Sequence, residues 1–331
     1  MSELYAVTSG DPAGIGPDIS LKIALRDDSH QFVVLGNIKL LRERAEMHAM
    51  DVKFIEFDES ILDSQIQKNT LLVKDFNLNH TVQPGVMDSK NGSYVLSMID
   101  YAVKGCLDGR FSGCITGPVN KEAIINSGYA FTGHTEYIGQ LCNQTPVMSF
   151  VSDQMKIALL TTHLPFKEVS THITSNGIID VVSIIHSDLV NYFGIENPNI
   201  GIVGLNPHAG ENGHIGKEEE DIFLPALSTL SESGIDINGP FAADTILLGD
   251  IEYDLILSIF HDQLLPLFKY ANPHLSTNVT MGLKIIRTSV DHGVAYDKVG
   301  MPDINHQSLY HALDTAKSMA NSYEKTKSAQ S

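Results

Sequence analysis

Three short apolar runs, each closed by a histidine, restrict this chain more than any other feature of it. Residues 255–260 are nearly all apolar and lead straight into His261, Asp262 and Gln263. Lys156-Ile-Ala-Leu-Leu-Thr-Thr leads into His163, and Ile200-Gly-Ile-Val-Gly-Leu-Asn-Pro leads into His208. Apolar runs this short, without polar alternation, mark strands covered on both faces, as in a parallel sheet. Ligands of open α/β sheets bind beyond the carboxyl ends of such strands, and neutral imidazole is the commonest protein ligand for a transition-type divalent cation. His163, His208 and His261 are therefore expected to meet at one metal. A single strand-end histidine is more often a polar terminus facing water. Recurrence at three strands, about 45 and 53 residues apart, is what favours convergence.

The rest of the chain alternates strand and helix. Residues 4–8 read as a buried strand, followed by Ser9-Gly-Asp-Pro-Ala-Gly-Ile-Gly-Pro. Gly10, Gly14 and Gly16 let the backbone turn tightly and approach a ligand, and Pro17 suits the first turn of a helix. The loop is neither a Walker A nor a GxGxxG motif, and a plain connector is its equal alternative. Residues 32–35, 52–57 and 113–116 read as further strands, and 38–47 as a helix, whereas 61–80 show no usable period. Tyr94, Met98, Tyr101 and Ala102 form a core-facing stripe on a helix over 91–107, as do Ile178, Val181, Val182, Ile185 and Leu189 further on. Such alternation predicts an α/β fold with a largely parallel sheet.

Polar groups gather where this pattern breaks. Gly133-His-Thr-Glu reads as a loop with contacts to make, and Lys121 as a solvated lysine or an anion ligand near a helix start. The acidic run at 218–221 fits a helix N-terminus, which the macrodipole favours, while His186 and His214 read as solvated. Arg287 between Ile286 and Thr288 is unusual, because a guanidinium with apolar neighbours requires an anionic partner.

Lys plus Arg number 22 against 40 Asp plus Glu, a net charge of −18 that argues against nucleic acid and anionic membranes as partners. No apolar run approaches the roughly 20 residues of a membrane span. Cys106, Cys114 and Cys142 lack CxxC spacing and are expected to be reduced thiols. With no basic and apolar leader in MSELYAVTSGDPAG, a cytoplasmic location is expected.

Several blocks together resemble the 4-hydroxythreonine-4-phosphate dehydrogenase family of vitamin B6 synthesis. They are Gly10-Asp-Pro-Ala-Gly-Ile-Gly-Pro, Thr116-Gly-Pro-Val-Asn-Lys, Gly133-His-Thr-Glu, Thr161-Thr-His-Leu-Pro, Leu205-Asn-Pro-His-Ala-Gly-Glu, Ala243-Asp-Thr, His261-Asp-Gln and Ile286-Arg-Thr-Ser-Val-Asp-His-Gly. The resemblance implies an isocitrate/isopropylmalate-dehydrogenase-like fold, with two α/β/α lobes flanking a cleft. One lobe is expected from 1–128 plus 280–331 (cofactor side) and the other from 129–279 (metal, substrate and dimer interface). It implies a homodimer with a shared active site, NAD or NADP as cofactor, and one divalent metal (Zn, Mg, Mn or Co) on His163, His208 and His261. Substrate contacts are implied for His134, Thr135, Lys269, Asn278 and Arg287, and cofactor contacts for Asp291, His292 and Gly293. Asp244, Asp262 and Lys269 are the implied catalytic or imidazole-orienting groups.

The expected reaction oxidises 4-phosphohydroxy-L-threonine to a β-keto acid that decarboxylates to 3-amino-2-oxopropyl phosphate. Rival readings are a related dehydrogenase of D-threonate or D-erythronate 4-phosphate, an acyltransferase on the same fold, and a metal-dependent hydrolase. Four departures bear on these expectations, one of them Val294 in place of a threonine. Leu264 stands where the family has glycine, Lys284 replaces a proline, and the 299–306 segment, on the expected adenine side, differs.

Overall fold

The computed structural model describes residues 3–58, 68–249 and 251–329. Its strands are β1 (Tyr5–Thr8), β2 (Phe32–Gly36), β3 (Lys53–Glu56), β4 (Thr70–Asp75), β5 (Gly113–Thr116) and β6 (Val147–Val151). They continue with β7 (Lys156–Leu159), β8 (Asn199–Val203), β9 (Asp236–Phe241), β10 (Leu255–Ser258), β11 (Thr277–Met281) and β12 (Arg287–Ser289). The chain divides into two compact units, Met1–Thr145 with Leu283–Ala320, and Pro146–Gly282 with Asn321–Ser331.

In the first unit the strand order is β3-β4-β2-β1-β5-β12, with every pair parallel. β1, β2 and β5 are buried throughout, as their unbroken apolar sequences require. Edge strand β3 exposes Lys53 and Glu56, charges that discourage pairing with another chain. β4 lies in the stretch that sequence periodicity left unassigned, part of which (61–67) falls outside the described residues. Its Leu71, Leu72 and Val73 are buried together, so no polar alternation marks it as a strand. The helix Gly92–Leu107 buries Tyr94, Met98 and Ala102 as expected, against Ala6, Val33, Leu35 and Cys114. Residues 129–145, with the helix His134–Cys142, pack in this unit through Ile138 and Cys142.

In the second unit the order is β11-β6-β7-β10-β8-β9. β7, β10, β8 and β9 are parallel, while β6 is antiparallel to both its neighbours. Residues 152–155 explain that reversal, because Ser152 N–H donates to Met155 O at 2.9 Å in a turn too short for a crossover. The helix Ser175–Phe193 buries Ile178, Val182, Ile185 and Leu189 completely. Each such side chain contributes about 1.5–3 kcal/mol. Among the described residues no single helix is long and apolar enough to cross a membrane.

Candidate active site

The order β7-β10-β8 sets the three histidine-bearing strands side by side and parallel, so His163, His261 and His208 follow the carboxyl ends of neighbouring strands. Pairing continues past the end of β7: Leu160 N–H donates to Ser258 O at 2.8 Å, and Thr161 donates to Ile259 O from both N–H (3.1 Å) and hydroxyl (2.7 Å). That extension brings the rings of His163 and His261 to 5.7 Å between centroids. His261 opens the helix His261–Ala271, with its Nδ1 2.7 Å from Asp262 Oδ1. A carboxylate on one ring nitrogen orients the imidazole and leaves the other, Nε2, for a ligand.

His208 sits in a turn where it, Ala209 and Gly210 all have left-handed backbone, with φ of 52°, 51° and 80°. Each non-glycine residue there costs on the order of 1 kcal/mol. Asn206 braces the turn: its N–H donates to Glu219 Oε1 at 2.8 Å, and its Nδ2 to Glu218 Oε2 at 2.8 Å and Glu219 Oε2 at 2.9 Å. Glu219 is buried. The acidic run thus begins a helical segment, as expected, and two of its carboxylates also hold the His208 loop. Among the described residues no group of three or more His, Cys, Asp or Glu is spaced to hold a metal ion. Two of the three expected rings stand together and the third follows the adjacent strand. The donor set itself, three imidazoles at neighbouring strand ends, fits a divalent metal.

The other expected residues of this unit take three positions. Asp244 is exposed in the turn after β9, the strand beside β8. Lys269 lies in the last turn of the helix that His261 begins, with Nζ 5.7 Å from the Phe150 ring centroid. Asn278 on β11 is the register partner of that same Phe150. Leu264 is buried inside the helix, so its replacement of glycine fills core rather than altering a loop.

The first unit holds a different constellation. Arg287 on β12 is 2 % exposed, faces Cys114 in register, and donates from Nη2 to Thr116 Oγ1 at 2.7 Å. Burial pulls its guanidinium down to about 10, partly opposed by the nearby Cys114 and Glu136, so it remains a cation at neutral pH. His134, Thr135 and Glu136 form the first turn of the helix His134–Cys142, a position that favours anions. The His134 residue as a whole is half-buried, but its Nε2 is fully covered and has no hydrogen-bond partner among the described residues. Buried polar atoms are rarely left so, which makes this atom a candidate for a ligand contact. Burial, then the charge of Arg287, depress the His134 pKa to about 3.

A titration prediction follows from that shift. The folded value lies below the ordinary 6.5, so the stability this group contributes is complete above pH 6.5 and is lost as pH falls toward 3. His134→Gln is expected to flatten the acid-side fall in thermal midpoint across that window. Scanning calorimetry of both proteins from pH 7 to pH 3 checks it, and identical slopes would refute it.

Of the expected cofactor residues, Asp291 is tied to the closing helix. Its N–H donates to Ser308 Oγ at 3.1 Å and its Oδ1 accepts from the same hydroxyl at 2.7 Å. His292 Nδ1 donates to Gly293 O at 2.9 Å, and its buried Nε2 has no hydrogen-bond partner among the described residues. Gly293 is exposed, with nothing near the position a Cβ would take. The glycine-rich loop at 10–16 behaves otherwise. A Cβ at Gly10 would overlap Pro118 O, one at Gly16 would overlap Ser9 O, and one at Gly14 would meet Val294 O at 2.8 Å. At these three glycines the close approach is made by the chain's own backbone. Asp11 secures the loop, accepting from Ala13 N–H at 2.9 Å, Asn91 Nδ2 at 3.1 Å and Tyr296 OH at 2.8 Å. Lys121 is solvated. Sequence reading missed Thr116, the Arg287 partner, and Asn206, the brace of the His208 turn. Both ended apolar runs as ordinary strand-end residues, and only their long-range partners distinguish them.

The chain matches the family described as "Pyridoxal phosphate biosynthetic protein PdxA" over residues 28–316. It is 42% identical over 323 residues to the 4-hydroxythreonine-4-phosphate dehydrogenase of Pseudomonas syringae pv. tomato, covering 96% of this chain and 98% of that one. Among solved structures it is similar to 4-hydroxythreonine-4-phosphate dehydrogenase from Klebsiella pneumoniae, with a TM-score of 0.86 and 30% identity over 96% of this chain and 99% of that one. A terephthalate 1,2-cis-dihydrodiol dehydrogenase from Burkholderia xenovorans, at 22% identity over 95% of this chain and 97% of that one and a TM-score of 0.66, shares the fold.

Proposed function

Since the chain belongs to the pyridoxal phosphate biosynthetic protein PdxA family, we propose that it is a dehydrogenase of 4-phosphohydroxy-L-threonine. The secondary alcohol is oxidised by a nicotinamide nucleotide, NAD or NADP, and the β-keto acid so formed loses CO2 to leave 3-amino-2-oxopropyl phosphate. The observation that carries the reading is the pairing of the buried Arg287 guanidinium with the neutral His134 beside it, whose covered Nε2 has no hydrogen-bond partner among the described residues. That pair suits a phosphate or carboxylate, because charge-assisted hydrogen bonds to such groups are the strong ones.

Roles for the chain's own residues follow. Arg287 binds the substrate anion, with Thr116 holding the guanidinium in plane. His134 stays uncharged through the neutral range and offers a hydrogen bond without competing for the anion's charge. Thr135, in the same first turn, and Asn278 contribute polar contacts. Lys269 neutralises the second substrate anion and is the candidate proton carrier at the hydroxyl oxygen. His163, His208 and His261 would hold a divalent cation (Zn, Mg, Mn or Co), with Asp262 orienting the His261 ring and Asp244 assisting. When bound, that cation supplies Lewis-acid stabilisation of negative charge on oxygen, which alcohol oxidation and β-keto acid decarboxylation both need. Asp291, His292 and Gly293 are assigned to the nicotinamide nucleotide, whose hydride chemistry is its own. His292 suits that task, since an Nδ1 that donates to Gly293 O leaves a neutral ring's Nε2 as an acceptor. A cytoplasmic homodimer completes the proposal. Leu267 and Tyr270, exposed one turn apart on the helix His261–Ala271, supply apolar surface for a second copy.

The test is absorbance of reduced nicotinamide with 4-phosphohydroxy-L-threonine, run with NAD and with NADP, with and without chelator. A chelator-sensitive rise is expected, larger than with D-erythronate 4-phosphate. A flat trace with metal and either nucleotide present would defeat the assignment.

A further inference from the structure

The carboxyl ends of β10 and β8 are joined by a side chain that no role above uses. Gln263 Oε1 accepts from Ile259 N–H at 2.8 Å and from the Ser258 hydroxyl at 3.2 Å, and Gln263 Nε2 donates to Gly204 O at 2.7 Å. The amide orientation is forced, because Ile259 offers an N–H and Gly204 a carbonyl. Paired residues of β10 and β8 end at Leu257 and Ile202, and Gly204 N–H then turns away to Phe241 O at 2.8 Å. The Gln263 amide therefore stands in for the rung that the diverging strands no longer make.

On its other side the Ile259 peptide is already occupied, its carbonyl accepting from the N–H and the hydroxyl of Thr161. One hydrogen-bonded line thus runs from Thr161 through Ile259 and Gln263 to Gly204. Its stations lie two residues before His163, two before His261 and four before His208. We propose that Gln263 is a positioning residue that fixes the His208 strand end against the His261 strand end and so sets the affinity of the histidines for a divalent cation. The inference rests on the metal assignment made above.

Two substitutions remove the clamp differently. Gln263→Glu keeps the shape but turns an ionised oxygen toward Gly204 O, and Gln263→Met keeps the volume with no amide at all. Ser149→Ala is the control, since it removes a buried hydrogen bond to Val279 O in the same unit, 2.9 Å long, away from these strand ends. The full-length chain is stripped of metal and titrated with Co2+ alone, following its visible absorption and dissociation constant, with thermal midpoints measured alongside. Both Gln263 variants are expected to bind Co2+ roughly 10–100-fold more weakly, with an altered absorption band. The control should keep parental affinity and spectrum. If Gln263→Glu does not fold, Gln263→Met carries the comparison. Gln263 variants that match the parent, or shift no more than Ser149→Ala, overturn the positioning role and leave the metal assignment standing. A parent that takes up no Co2+, or whose uptake survives His261→Ala, overturns the metal assignment and this inference with it.

Discussion

His261→Ala is expected to leave the chain unable to retain metal through gel filtration and to lower kcat/KM by about three orders of magnitude. Lewis-acid stabilisation contributes several kcal/mol, and each 1.4 kcal/mol is about tenfold in rate, which sets that scale. The ring is one of the two already 5.7 Å apart and the one whose Nδ1 a carboxylate engages, so its loss removes the best-oriented donor. His163→Ala and His208→Ala should follow it. His214→Ala, in an exposed part of the loop after His208, should retain both metal and activity. Elemental analysis of the purified variants, with rates at saturating added metal, decides the matter. One equivalent of tightly held metal in any of the three variants would overturn the three-histidine assignment.

Arg287→Ala is the second large effect, and it should fall on substrate alone. Removing one member of a buried ionic arrangement costs about 3–5 kcal/mol, so kcat/KM for the phosphorylated substrate should drop roughly 10²–10⁴-fold. The nicotinamide dissociation constant should hardly move, because Asp291, His292 and Gly293 lie outside the Arg287–Thr116 hydrogen bond. Arg287→Lys should restore little, since an ammonium cannot bond Thr116 and an anion with the same planar fork. The measurements are substrate kinetics and cofactor binding by fluorescence, with a thermal midpoint to show that the buried site still folds. Equal losses for substrate and cofactor would count against the assigned role.

Much of this arrangement was legible in the order of residues, for a local reason. A strand covered on both faces leaves an unbroken apolar run, and the first polar residue after it marks the carboxyl end. His163, His208 and His261 could therefore be placed at strand ends before any strand was paired. The oddity of Arg287 was legible in the same way, as a guanidinium where an aliphatic side chain was due. β4 was not, because Leu71, Leu72 and Val73 follow an irregular stretch that gave no boundary. At the 10–16 loop the sequence left two equal readings, ligand approach or plain connector, since a glycine admits a carbonyl of its own chain as readily as a ligand, and Pro118 and Val294 provide such carbonyls.

The sequence by itself determined the alternation of strand and helix, the α/β class, and which side chains end up at strand tips, because burial and turn chemistry act over a few neighbouring residues. The tertiary structure alone decided that β7, β10 and β8 are neighbours, that the turn beginning at His134 belongs with Arg287, and that Gln263 links one histidine strand to the next. Those outcomes depend on hydrogen bonds and charges between residues about 60 to 170 positions apart, and a local period cannot record them.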